Sequence, residues 1–105
     1  MGQNLMKTRR LELDQIFHEI CSNVYFEPPS SVKMQYPAIR YKRSGIDRLH
    51  ADNQPYLTDT AYDVVVIDRD PDSSVAYAVS QLPLCRHNRH YYADNLSHDV
   101  FIIYH

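Results

Sequence analysis

Apolar and polar side chains alternate along one segment of this chain and run together along another. From Tyr36 to Arg43 the alternation has the two-residue period of a strand with one face in solvent, and Pro37 fits only its first position or an edge. From Ala61 to Asp68 the residues are β-branched and almost continuously apolar. Such a run is typical of a strand that is covered on both faces. We therefore expect one half-buried strand and one fully buried strand.

Two further segments have the periodicity of helices. Residues 9–22 carry apolar side chains at offsets 0, 3, 4, 7 and 8, which form one stripe that we expect to lie in the core. A second helix follows the long strand, with Asp70, Asp72 or Ser73 as its N-cap, and it ends after about ten residues at Pro83. The first stripe comprises Leu13, Ile16, Phe17, Ile20 and Cys21, and the second comprises Val75, Ala76, Val79 and Leu82.

The remaining segments predict strands and turns. The connector after the first helix contains two consecutive prolines, which leave room for a short extended piece at most. Gly45 marks a turn, and residues 46–60 form the two arms of a β-excursion that meet near residues 52–55. Residues 89–104 predict a hairpin that turns at residues 94–97. The fold class is therefore α+β: a mostly antiparallel sheet with an N-terminal helix, a second helix packed on it and a C-terminal β-hairpin.

Length and composition bound the class of protein. With 105 residues, 44% apolar and 23% charged, the chain has room for one globular domain, which we assign to residues 1–105. A formal net charge of −2 gives no electrostatic case for strong nucleic-acid binding, and two glycines cannot build a glycine-rich phosphate loop. Because no apolar run has the length of a membrane span or a signal-peptide core, we expect no membrane association and a cytoplasmic origin.

Cysteine and histidine supply the residue types of a metal site without its spacing. Cys21 and Cys85 lack a CxxC arrangement, and we expect both to be reduced thiols. Residue types that ligate zinc occur at Cys85, His87, His90 and His98. In a regular strand, however, His87 and His90 point to opposite faces. We therefore predict that the protein holds no metal and no cofactor.

Two short segments contain the residue types of functional motifs. The run Ser97–Asp99 reads Ser-His-Asp, the residue types of a catalytic triad, but adjacent residues of a strand cannot converge on one point. The carboxylates Asp68, Asp70 and Asp72 resemble the start of a calcium loop, yet the required glycine and terminal glutamate are absent, and capping of the second helix explains them better. We therefore predict no catalytic residues and a protein that is not an enzyme.

Cations and aromatic residues interleave in residues 86–92. Arginine and tyrosine are enriched in protein interfaces, and the nine tyrosines of the chain favour amphipathic contact surfaces, because a buried tyrosine must find a partner for its hydroxyl. Single-strand nucleic-acid readers use the same interleaving. We interpret the segment as a protein-contact surface. The candidate interface residues are Arg86, Arg89, Tyr91 and Tyr92, with Tyr56 from the polar excursion.

The order of elements and three strings resemble small neck proteins of long-tailed bacteriophages. The strings are Tyr36–Tyr41, Tyr62–Asp68 and Tyr91–Phe101. Among these proteins the chain is most similar to the tail terminator, or tail completion, family, over roughly residues 9–105. The resemblance implies an N-terminal helix, a proline-led strand that opens an antiparallel sheet, a projecting hairpin, and a helix packed across the sheet.

The resemblance also implies a function. Tail terminators form a homohexameric ring that caps the finished tail tube, stops its polymerisation and offers a docking surface to the head–tail connector proteins. They are structural proteins without catalytic residues. We therefore expect a hexameric ring in the neck of the virion, assembled in the host cytoplasm, with the tail tube protein and the connector proteins as partners.

Two other functions stay open at this point. One is a head-closure or adaptor protein of the same neck, which sequence alone does not separate from a terminator. The other is a small nucleic-acid-binding protein or nuclease that uses Arg86–Tyr92. For the neck ring, we expect packaged DNA to pass through without specific binding and the acidic residues Asp47, Asp52 and Asp59 to face the channel.

Overall fold

The fold is a mainly antiparallel sheet with the helices of the described chain packed on one face. The structure is a computed structural model that describes residues 5–51 and 54–105, with the side chains of residues 6–45 and 60–105. Within these residues the elements are α1 (Leu5–Ile20), β1 (Val24–Phe26), β2 (Ala38–Ala51), β3 (Gln54–Asp68), α2 (Ser74–Ser80), β4 (Cys85–Ala93) and β5 (Leu96–Tyr104). The predicted α+β architecture is confirmed.

The strands of the described sheet follow the spatial order β1-β2-β3-β5-β4. β1 runs parallel to β2, and the other neighbouring pairs are antiparallel. Because β5 lies between β3 and β4, those two strands run parallel to each other, and α2 crosses from one to the other. From Ala61 to Asp68, β3 has strands on both sides and apolar clusters on both faces, so this part of β3 is the buried strand that its apolar run predicts.

Most buried side chains lie between the sheet and the helices. The ring of Phe17 on α1 meets Tyr41 edge-on with 5.1 Å between centroids, and Tyr41 meets Tyr62 at 5.9 Å. The Tyr41 hydroxyl donates a hydrogen bond of 2.5 Å to Asp14 on α1, and burial together with this bond raises the pKa of Tyr41. The cluster comprises Leu13, Phe17, Cys21, Ile39, Tyr41, Tyr62, Val64, Val66, Val75, Ala76, Val79, Phe101 and Ile103.

The opposite face, called the outer face below, carries a smaller apolar cluster. It consists of Val65, Ile67 and Val100, with Met34, Tyr36 and Leu96 partly buried against them. Met34 and Tyr36 belong to the connector between β1 and β2, so this irregular segment covers part of the sheet. The Arg69 guanidinium lies 5.8 Å from the centroid of the Tyr36 ring.

β2 and β3 continue beyond the rest of the sheet as a two-stranded arm. Pairing of β3 with β5 ends at Ala61, and β1 pairs with β2 only over residues 39–41. Within the described part, residues 46–51 and 54–59 pair only with each other, and these two segments are the arm. They confirm the predicted excursion, while its tip, residues 52–53, lies outside the described residues.

Four local predictions differ from the structure. β2 begins at Ala38 and not at Tyr36, so Pro37 precedes the strand instead of opening it. α1 spans Leu5–Ile20 and so begins earlier and ends slightly earlier than expected, since good helix formers precede the apolar stripe. α2 is shorter than ten residues, because Gln81 caps it before Pro83 is reached. Gly45 is not in a turn: β2 continues through it, with a bulge in the pairing between Arg43 and Gly45.

The cap of α2 and the turn of the C-terminal hairpin follow local chemistry. Ser73, the last of the three candidate N-caps, caps α2, and its Oγ accepts the N–H of Ala76 at 3.1 Å. Asp94 and Asn95 have φ angles of 55° and 63°, as a two-residue type I′ turn requires. The predicted hairpin is confirmed, with a tighter turn and longer strands than expected.

Candidate protein–protein interface

β4 forms an edge of the described sheet and carries four of the predicted contact residues. Its residues from Arg86 to Tyr92 are exposed, and Tyr92 keeps 65% of its surface in solvent. One side of the β4 backbone pairs with β5, and the other has no strand beside it in the described sheet. The fifth predicted residue, Tyr56, lies on β3 in the arm, and its side chain is outside the described part.

A β-bulge divides β4. His87 pairs with Phe101, and Arg89 pairs with Val100, the adjacent residue of β5, so Asn88 has no partner of its own. Because Asn88 is an extra residue, each side chain after it lies on the face opposite to the one that regular alternation would give. The open backbone edge is interrupted at the same point, so it offers two short stretches instead of one continuous template for another strand.

The predicted contact residues lie on two different faces. Arg86, Arg89 and Tyr91 pair with residues of β5 that lie on the outer face, and paired residues share a face. Tyr92 pairs with Ser97, on the helix side. The structure therefore brings three of the predicted residues together and separates Tyr92 from them.

The helix side of β4 holds a hydrogen-bonded cluster that the sequence reasoning missed. The bulge places His87 and His90 on the same face, which corrects the expectation that they point to opposite faces. Nε2 of His87 and Nδ1 of His90 lie 3.1 and 2.8 Å from the same carboxylate oxygen of Asp99. The only sequence signal for this cluster is that the two histidines are three residues apart. In a strand, this spacing places them on the same face only when a bulge lies between them.

The side chains that the structure describes include no group of three or more His, Cys, Asp or Glu that could hold a metal ion. Cys85 pairs with Ile103 on the helix side, whereas His98 lies on the outer face. The predicted zinc-type residues therefore do not converge. Burial raises the pKa of the Cys85 thiol to about 11, so this thiol is protonated at neutral pH and is a weak nucleophile and ligand.

Tyr91 and His98 form a stack on the outer face. Their ring centroids lie 4.6 Å apart and their planes differ by 10°, and the Arg89 guanidinium lies 5.3 Å from the centroid of Tyr91. His98 is buried, and its Nδ1 lies 3.1 Å from the carbonyl oxygen of Leu96, to which it can donate. The stack fixes the aromatic rings on the sheet and leaves the Arg89 side chain exposed.

Several basic side chains on the outer face have no anionic partner within the part of the chain that the structure describes. Arg40 and Lys42 lie on β2, and Arg86 and Arg89 lie on β4. Within the described part of the chain none of these four side chains forms an ion pair. An unpaired cation on a face of this kind is free to contact an anionic group from another molecule.

The two strings that imitate functional motifs have structural roles. In Ser97–Asp99 the histidine lies on the face opposite to the serine and the aspartate, so no triad forms. Asp68 accepts the backbone N–H of Asp70 at 3.1 Å, and Asp70 accepts that of Asp72 at 2.9 Å. These aspartates close turns before α2, whereas the capping role that was predicted for them belongs to Ser73.

Comparisons with protein-family models, curated proteins and solved structures find no match. Among the described residues, no helix combines the length and the apolar character that crossing a membrane requires. The functional conclusion therefore depends on the geometry of the arm, the edge strand and the outer face.

Proposed function

We propose that this chain is a structural protein in the neck of a long-tailed bacteriophage, a subunit of the tail-terminator kind whose ring caps the tail tube, ends its polymerisation and joins tail to head. The observation that carries the proposal is the arm, whose strands pair only with each other within the described part. An isolated two-stranded hairpin is only marginally stable in water. Packing against a neighbouring subunit would stabilise it.

The remaining elements support the same class. The helix α1, the strand β2 that follows Pro37, the projecting arm and the helix α2 packed on the sheet occur in the order that the resemblance implies. β4 is an exposed edge, and natural proteins usually cover or interrupt such edges. A ring in which the arm of each subunit reaches the edge region of its neighbour uses both features.

A ring follows from the symmetry of these contacts. The arm and the edge are different surfaces, so the contact is heterologous, and heterologous contacts either close into rings or continue as filaments. We expect six subunits, with the tail tube protein on one side, the connector proteins on the other and packaged DNA passing through. The protein then acts in the virion neck after assembly in the host cytoplasm, without a catalytic role.

The acidic residues that are expected to face the channel belong to the arm or its tip. Asp47 and Asp59 lie on the arm strands, but their side chains are outside the described part, and Asp52 is outside the described residues altogether. Their orientation toward packaged DNA therefore stays a prediction of the ring.

Electron microscopy of phage particles tests the proposal. In a phage that encodes this chain, loss of the protein should give tail tubes of irregular length that are not joined to heads, and the full chain should restore normal particles. A variant in which Ile46 and Thr60, which pair with each other, are joined by Asn-Gly should fold but fail to restore them, since it lacks almost all of the arm. Normal tails joined to heads without the protein would contradict the proposal, and tails of normal length without heads would indicate a head-closure or adaptor protein.

A second candidate function is nucleic-acid binding, and the unpaired outer-face cations favour it. Arg86, Arg89 and the Tyr91 stack combine cations with an aromatic surface, as single-strand binding proteins do. Binding to DNA that survives about 0.2 M salt with a steep salt dependence would favour this function over a passive ring. Cleavage of the bound strand would indicate a nuclease.

A further inference from the structure

We propose that unpaired arginines of β4 bind an acidic end of the sheet in a second copy of this chain. The inference rests on the proposed ring, for which it adds a second pair of surfaces to the head-to-tail contact between the arm and the edge region. The basic edge comprises Arg86 and Arg89. The acidic end comprises Asp68, Asp70, Asp72 and Asp94.

The basic edge is placed for intermolecular contact. Arg86 and Arg89 are exposed on the outer face of an edge strand, and neither forms an ion pair among the described residues. The carboxylate of Asp99 lies on the opposite face and already contacts two imidazoles. Guanidinium groups bind carboxylates in a bidentate geometry, so an aspartate-rich surface is a chemically suitable partner.

The acidic end is held in a defined conformation. β3 ends at Asp68, which pairs with Ser97 of β5, and the turn at Asp94 lies at the same end of the sheet. Asp70 and Asp72 are exposed, and the backbone hydrogen bonds to Asp68 and Asp70 fix the loop. None of the four carboxylates forms an ion pair within the described part.

The two surfaces cannot meet within one molecule. Arg89 and Arg86 lie about 15 and 25 Å along β4 from Asp94, at about 3.3 Å per residue. A nucleic acid on the outer face would explain the unpaired arginines but would leave the acidic end without a partner. A second copy explains both surfaces, and because they are unlike, the contact is heterologous, as a ring requires.

A charge-swap experiment tests the contact. Arg86→Glu with Arg89→Glu makes the basic edge acidic, and Asp70→Lys with Asp72→Lys and Asp94→Asn makes the acidic end basic, because Asp68 is then its one remaining carboxylate against two lysines. Each of these two variants alone should associate with itself at least about tenfold more weakly than the parent in sedimentation velocity, because like charges then face each other. An equimolar mixture should recover association, since the edge of each variant then complements the end of the other. An alternating ring closes for any even number of subunits, including six.

Matched variants keep the test interpretable. Glu19→Lys with Lys33→Glu changes two exposed charges that belong to neither surface and should associate like the parent. Asp70→Asn with Asp72→Asn removes the charge while an amide oxygen can still accept the turn hydrogen bond, and it should also weaken association. Circular dichroism should show a folded protein in each case.

Several outcomes would overturn the inference. These are unchanged self-association of the double arginine variant, a mixture that does not recover, a parent that stays monomeric up to about 1 mM, or arginine variants that lose only DNA binding. If the mixture recovers association but tails form normally without the protein, the contact stands and the neck function fails.

Discussion

The helix-covered face and the outer face of the sheet differ in what they bury and in what they leave unpaired. The helix-covered face packs fully buried rings such as Phe17, Tyr41 and Tyr62 between the sheet and the helices. The outer face has a smaller apolar cluster, partly covered by an irregular connector, and a set of arginine and lysine side chains without ion-pair partners in the described part.

We interpret the helix-covered face as the main source of stability and the outer face as the surface for contacts with other molecules. Substitutions on the helix-covered face should act mainly on folding, because they remove packed volume from the larger core. Substitutions of the outer-face cations should act mainly on association, because exposed charges contribute little to folding. Stability and association measurements on variants of the two faces can therefore support or contradict this assignment.

The largest expected effect is the loss of Phe17. Phe17→Ala should lower the free energy of unfolding by about 3–5 kcal/mol, because the side chain is fully buried and leaves a cavity. On the outer face, Val65→Ala should cost only about 1–2 kcal/mol, since it removes fewer buried carbon atoms. Urea denaturation measures both, and equal losses would contradict the division.

Two tyrosines that pack against each other should respond differently to loss of the hydroxyl. Tyr41→Phe should lower the free energy of unfolding by about 1.5–3 kcal/mol, because its hydroxyl donates to a carboxylate. Tyr62→Phe should raise it by about 1 kcal/mol, because the buried Tyr62 hydroxyl has no hydrogen-bond partner among the described residues. Denaturant titration of both variants measures the contrast, and a large loss for Tyr62→Phe would reveal a missing partner.

The cluster that ties β4 to β5 should contribute modestly. A double-mutant cycle with His90→Ala and Asp99→Ala should give a coupling of about 0.2–1 kcal/mol at neutral pH, since the His90 side chain is 43% exposed. The same cycle with Lys33→Ala in place of His90→Ala provides the control and should give no coupling. A coupling above about 2 kcal/mol would make this edge a main source of stability.

The Cys85 thiol should give a small pH dependence of stability at alkaline pH. Burial raises its pKa to about 11, whereas an unfolded thiol titrates near 8.5. Between these values the unfolded chain binds fewer protons than the folded chain, so stability falls as the pH rises. Tyr41, whose pKa is also raised, adds a decrease of the same sign. Thermal melts of Cys85→Ala should therefore decline less between pH 9 and pH 11 than those of the parent, and identical declines would exclude a contribution from the thiol.

The smallest expected effect is that of a chelator. We predict that the melting temperature is the same with and without EDTA, and that elemental analysis after desalting finds no stoichiometric zinc. Structural zinc contributes folding energy directly, so a required ion would lower the melting temperature on removal. Such a decrease would reverse this prediction for Cys85, His87, His90 and His98.

The pattern of apolar residues predicts a helix or strand well where the burial of its side chains determines that element. The apolar run of β3 is confirmed. The stripe on α1 is confirmed for Leu13, Phe17 and Cys21, whereas Ile20 and Ile16 are only partly buried and Ile16 lies outside the core cluster. The arm was predicted from turn-prone residues between two polar segments. The pairing of β5 between β3 and β4 was not predicted, because strand order depends on tertiary packing that the local pattern does not encode.

The candidate site was less predictable, because it depends on single-residue irregularities. The bulge at Asn88 reverses which side chains share a face after it, and no residue there signals a bulge as clearly as a glycine would. The face of Tyr92 and the pairing of His87 and His90 with Asp99 follow from that one position. The unpaired state of Arg86 and Arg89 depends in turn on where the carboxylates of other elements lie.

The position of β5 in the sheet also determines when the proposed contact surfaces form. β5 is the last strand in chain order, yet it pairs with β3 on one side and with β4 on the other. Before β5 has been synthesised, β3 has an open edge, and β4 has no strand to attach it to the sheet. A nascent chain therefore cannot present either proposed contact surface in its final position. In the proposed ring, an unfinished chain would therefore lack both contact surfaces and could not take a subunit's place.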